Sequence, residues 1–158
     1  RCALAEARAG GGKKALALAL EWVERCRSHG ADDYALRVTR AEILIERGKT
    51  SEGAGPVEEA LLDLERAAAL PGCGNRVQYL SARAWFLRAR HAAAAGHDPR
   101  PDLDRVLAYA GEPMATAECG PSSPWKELLD EARLERARFG DGKDSGDSWP
   151  SDVDPWDR

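Results

Sequence analysis

Ala41-Glu-Ile-Leu-Ile-Glu-Arg-Gly48 recurs in outline as Ala89-Arg-His-Ala-Ala-Ala-Ala-Gly96, and Ala3 to Gly10 repeats the interval near the start of the chain. In each stretch an alanine stands seven residues before a glycine that closes an apolar, helix-forming run. One unit used repeatedly predicts helix-turn-helix hairpins. The fold class is therefore all-α, with antiparallel helical hairpins stacked as a short α-solenoid, an architecture that binds partners on exposed grooves.

Working outward from these runs, residues 13–27 read as a helix because Leu16, Leu20 and Val23 recur at helical spacing. The alternation from Ala15 to Leu20 imitates a strand, but alanine favours helices and is depleted in strands. Asp32 or Asp33 is placed to cap a second helix ending at Gly48, and residues 49–56 read as a loop. Pro56 suits the first position of a third helix through Leu70, with Val57, Ala60, Leu61, Leu64, Ala67 and Ala68 inward. Asn75 is expected to cap a fourth helix running to Ala95, with Leu80, Ala84, Leu87 and Trp85 inward. A short fifth helix carries Leu103, Val106, Leu107 and Ala110, and residues 111–122 read as an irregular linker. Ser123-Pro124 then starts a last helix to Phe139, with Trp125, Leu128, Leu129 and Ala132 on one face.

Charge divides the chain at residue 140. The formal net charge is −4, and residues 141–158 carry six aspartates against Lys143 and Arg158, which leaves the preceding body neutral. We therefore read residues 1–140 as a helical repeat domain and residues 141–158 as an acidic tail whose Asp, Gly, Ser and Pro content predicts disorder. A neutral body without a dense basic run argues against nucleic acid as a partner, since that binding needs clustered cations. No apolar stretch reaches the roughly 20 residues of a membrane span, so no membrane partner is expected either. The chain opens on Arg1 within helix-forming sequence, and we read it as a piece of a longer protein. Cys2, Cys26, Cys73 and Cys119 are widely spaced, which favours reduced thiols and a cytoplasmic location over a disulfide scaffold.

The hairpin pattern resembles the tetratricopeptide repeat. Trp85, Ala89 and Gly96 match the first helix of one repeat, with Leu103 and Leu107 where its second-helix pair stands. Ala41, Gly48, Ala60, Leu64, Ala67 and Pro71 match another, and Ala3, Gly10 and Ala15 a third, clipped at its start. The glycines lie 38 and then 48 residues apart, against a family period of about 34. Part of the excess falls in the 49–56 loop and most of the rest near Pro71 to Asn75. The resemblance implies a partner-binding groove lined by Ala35, Val38, Glu42, Ile45 and Glu46 from one repeat, and by Arg83, Phe86, Arg90, Ala93 and Ala94 from the next. It does not extend to the lysine and asparagine set that grips a peptide's terminal carboxylate, because Glu46 and Ala94 carry the wrong chemistry. Arg83 and Arg90 are suited to hold a partner carboxylate and Phe86 to anchor an apolar residue. The alternative is that these residues pair and pack within the array.

Catalytic and metal signatures are weak throughout. Gly10-Gly11-Gly12-Lys13-Lys14 lacks the first glycine, the Ser or Thr, and the preceding strand of a phosphate-binding loop. Cys26 and His29 have ligand spacing but no second pair, and Lys143 spoils a calcium-like run in the tail. The expectation is no enzyme, no cofactor and no metal, with Cys26 a buried thiol and His91 and His97 surface imidazoles. Trp149 and Trp156, set in the acidic tail, resemble a short linear motif and join the candidate partner-binding residues Val38, Glu42, Glu46, Arg83, Phe86 and Arg90. The leading expectation is a protein-protein interaction scaffold binding a peptide or protein partner, forming the terminal region of a larger bacterial protein, signalling proteins included. The alternatives are a structural or regulatory helical domain that packs on its own parent chain, and a small helical enzyme without a motif.

Overall fold

The computed structural model describes residues 12–30, 33–51, 53–70, 74–115 and 123–140, with the side chains of 110–115 left aside. The Ala3 to Gly10 unit, Cys2, Cys73, Cys119, Trp149, Trp156 and the acidic tail lie outside the described residues. Six helices account for the structure, α1 (Gly12–Ser28), α2 (Tyr34–Gly48), α3 (Gly55–Ala68), α4 (Asn75–Ala94), α5 (Arg100–Ala115) and α6 (Pro124–Arg138), with no strand among the described residues.

Local chemistry starts and stops these helices. The Asp33 carboxylate accepts the backbone N–H of Leu36 at 2.8 Å and so caps α2. The Ser123 hydroxyl accepts the N–H of Trp125 at 3.3 Å ahead of Pro124, capping α6. Asn75 does not cap α4; it is the first helical residue, and Gly74 takes the cap position without a side-chain hydrogen bond. Residues 111–115, expected as linker, continue α5. Gly111 and Pro113 fall in its closing turns, where a breaker disrupts little of the ladder already formed.

Extensive packing runs between neighbours in sequence. The α2–α3 and α4–α5 pairs are the most intimate, and beyond neighbouring helices α2 touches α4 and α4 touches α6. Three apolar clusters follow from this order. Leu16, Ala19 and Val23 of α1 meet Ile43 of α2. Val38, Ala41, Leu44 and Ile45 meet Val57, Ala60, Leu64 and Ala67 of α3 and Val77, Leu80, Ala84 and Leu87 of α4. Ala82, Phe86 and Ala89 on another side of α4 meet Leu103, Val106, Trp125, Leu128, Leu129 and Ala132. Helix α4 thus buries two faces. Of the residues read as inward, Leu61 is half-buried and Ala68 exposed, while Trp85 is half-buried with the guanidinium groups of Arg88 and Arg105 each 4.1 Å from its ring centroid.

The recurring alanines are equivalent and their glycines are not. Ala41 and Ala89 are both buried at helix crossings. Gly96 has φ +75°, and the N–H groups of Gly96 and His97 bond the carbonyls of Ala93 and Ala92 at 3.0 and 2.8 Å. This is a Schellman stop, which needs a residue tolerant of the left-handed region. Gly48 instead ends α2 where α3 and α4 approach, and a Cβ there would lie 2.5 Å from Val57 Cγ2 and 3.1 Å from Leu87 Cδ2. One glycine serves conformation and the other serves space.

A second recurrence joins each pair of helices. Arg40, just before Ala41, donates to the buried carboxylate of Asp63 on α3, and Arg88, just before Ala89, grips buried Asp102 on α5 with two nitrogens. Arg40 also bonds Glu24 of α1 and, at 2.8 Å, Glu59 of α3, so one guanidinium ties three helices. Burial by itself pulls this guanidinium down, but its bonds to Asp63, Glu24 and Glu59 outweigh that and hold it above the ordinary arginine value.

Candidate functional site

Helices α2, α4 and α6 share one side of the chain, and a groove of about 350 Å³ lies between them. Tyr79, Arg83, Phe86, Leu87 and Arg90 recur at three- and four-residue steps on α4 and form its central stripe. Ile45 and Lys49 line it from α2 and just beyond, and Pro124, Glu127, Leu128 and Glu131 from α6, again at helical spacing. The floor is apolar and set by packing, because Ile45, Phe86, Leu87 and Leu128 are all buried core residues. Cations stand on the α2 and α4 side and carboxylates on the α6 side. A volume of this size is at the lower end of small-ligand sites and accommodates one or two side chains of an extended segment.

The sequence-predicted residues divide between this groove and the interior. Arg83, Phe86 and Arg90 come together in it. Val38 does not line it; it is 3% exposed within the α2–α3–α4 core, because its side of α2 turns toward α3 and α4. Glu42 is likewise buried, and its Oε1 accepts from Arg76 Nε and Nη2 at 3.1 and 2.6 Å, closing α2 onto the first turn of α4. Phe86 is more a core ring than a free anchor, 8% exposed where it lines the groove. Of the remaining expected lining positions, Ala35 and Ala94 are exposed and Ala93 is half-buried, all away from the groove. His91, expected at the surface, is buried and donates its Nε2–H to the Gly48 carbonyl at 3.0 Å. Cys26 is half-buried, and among the described residues no cluster of three or more His, Cys, Asp or Glu forms a metal site.

Electrostatics change the role expected of Arg83. Its Nη2 lies 3.1 Å from Glu46 Oε1, and its guanidinium rests 5.7 Å from the Tyr79 ring centroid. Glu46 also accepts from Lys49 Nζ at 2.8 Å. Partial burial pushes the Glu46 carboxyl up, but the Lys49 ammonium and the Arg83 guanidinium together outweigh it and hold the group below the usual carboxylate range. A folded-state value below the unfolded one contributes stability above the ordinary glutamate value of about 4.3 and loses it as pH falls through the depressed value. Glu46→Gln is therefore expected to melt below wild type at neutral pH, with the gap closing in acid below about pH 4. A gap constant from pH 7 to 3 would show that the cations do not hold this charge.

Sequence reading missed Lys49 and the whole α6 wall. The stripe Pro124, Glu127, Leu128, Glu131 was visible, but the expected linker at 111–122 detached the last helix from the repeat accounting. No described helix is long and apolar enough to cross a membrane. No protein-family model, curated protein or solved structure matches the chain.

Proposed function

We propose that the chain is a protein-protein interaction scaffold, built as a tetratricopeptide-like array, that binds an extended segment of a partner in the α2–α4–α6 groove. It acts as a binding module rather than an enzyme, in the cytoplasm. The observation that carries the reading is the groove itself, where the first helices of two successive hairpins and α6 converge over a buried apolar floor beneath Lys49, Arg83 and Arg90. Nearest-neighbour packing of hairpins supports the array, since each unit leaves one helix edge on the shared side. The partner segment that fits carries an apolar anchor for the Phe86–Leu128 floor and a carboxylate toward the α4 cations, with a basic residue facing Glu127 and Glu131.

Selection from a random peptide library tests this. The wild-type chain is expected to enrich peptides with an acidic residue beside an apolar anchor. Arg83→Glu with Arg90→Glu should weaken the enriched peptides at least about tenfold, the scale of one lost charge-assisted bond, with helical circular dichroism intact. No enrichment, or equal binding by the variant, would remove the groove assignment.

A further inference from the structure

Glu46 stands beside the groove and already fills the position that a guest carboxylate would take. It does not line the cavity, yet its oxygens reach two cations that do. Oε2 lies 2.8 Å from Lys49 Nζ, and Oε1 lies 3.1 Å from Arg83 Nη2. Glu127 and Glu131, which line the groove from α6, make no ion pair with either cation among the described residues. The lining charges are Lys49, Arg83 and Arg90 against Glu127 and Glu131, an excess of one positive charge that Glu46 cancels. An acidic guest therefore meets little net attraction until Glu46 lets go.

Other contacts already hold α2 on α4. One turn earlier, Glu42 accepts from Arg76 with its side chain only 7% exposed, and Ile45 packs in the same core as Leu80, Ala84 and Leu87. Glu46, Arg83 and Lys49 are instead 24%, 26% and 47% exposed, so water and a guest can reach all three. Pairs open to solvent hold weakly, and their partners exchange.

We infer that Glu46 is an internal competitor for the groove's partner: it holds the Lys49–Arg83 pair, and a partner carboxylate binds by displacing it. This role rests on the α2–α4–α6 groove being the partner site. Glu46 is tethered beside its cations and competes at an effective concentration on the order of millimolar or above. A lone carboxylate is thereby turned away, and entry is left to a guest that adds an apolar contact with the floor. A charge-assisted bond of ordinary strength favours the closed arrangement at least about tenfold, which weakens apparent binding by the same factor.

Titration of the full chain with sodium acetate, followed by NMR at the Arg83 Nε–H, decides it. In Glu46→Gln the half-saturating acetate concentration is expected to fall about tenfold below wild type. Glu131→Gln removes an equal charge from the opposite wall and should leave that concentration nearly unchanged. In the wild-type chain the Glu46 carboxyl carbon should shift with the same half-saturation as Arg83, as displacement requires. Equal acetate affinity in wild type and Glu46→Gln, an equal gain in Glu131→Gln, or a Glu46 carbon that stays still while Arg83 titrates would overturn this role and leave Glu46 a brace. Peptides selected by the wild-type chain should likewise bind Glu46→Gln about tenfold more tightly. Acetate needs no partner, so an empty peptide selection would remove the groove assignment while the acetate titration still judges Glu46.

Discussion

Arg40→Leu is expected to destabilise the chain by about 3 kcal/mol, the lower end of the 3–5 kcal/mol typical when one partner of a buried ion pair is removed. Asp63 is 2% exposed, and Arg40 is its charged partner among the described residues. Its removal leaves a carboxylate in an apolar seam between α2 and α3. Glu24 and Glu59 sit at the rim, 44% and 56% exposed, so losing their bonds matters far less. Arg40→Leu with Asp63→Leu should recover most of the loss, because two apolar residues satisfy the site as well as a desolvated pair does. Arg88→Leu should cost less than Arg40→Leu, since Arg88 is 30% exposed and water reaches the clasp with Asp102. Urea unfolding of these three variants and of Asp63→Leu alone, followed by circular dichroism, gives the four values. An additive double variant, or equal effects at Arg40 and Arg88, would contradict burial as the cause.

The second large effect belongs to Gly48. Gly48→Ala is expected to cost about 2 kcal/mol, within the range for overpacking, and to lower the melting temperature by about 4–8 °C. The added methyl meets Val57 Cγ2 at 2.5 Å, a core side chain with no room to retreat. Val57→Ala in the same chain removes that atom, so the double variant should lose less than the sum of the singles. Gly96→Ala meets no atom within 4 Å and should cost about 1 kcal/mol for the left-handed backbone alone. Val57→Ala should leave that cost untouched. Equal rescue of both glycines would mean that the steric reading of Gly48 is wrong.

These two sites explain how far sequence reading carried. Ala41 and Ala89 were recognisable because small residues at helix crossings leave a spacing that survives along the chain. Asp63 was not, because an aspartate on an amphipathic helix resembles a solvated one until its arginine, 23 residues away, is brought to it. Val38 and Glu42 were assigned to the groove from a repeat register, yet α2 is rotated so that both are buried. Phe86 belonged to both descriptions, core ring and groove floor, because α4 packs on two sides.

Helix content and most helix limits were legible in the chain, because capping residues, glycine and proline stops and apolar spacing act within a few residues of one another. Which charges are buried, which glycine makes room and where the groove opens were decided by tertiary packing. Those depend on the rotation of each helix about its axis, and that rotation is set by side chains on other helices, far away in sequence.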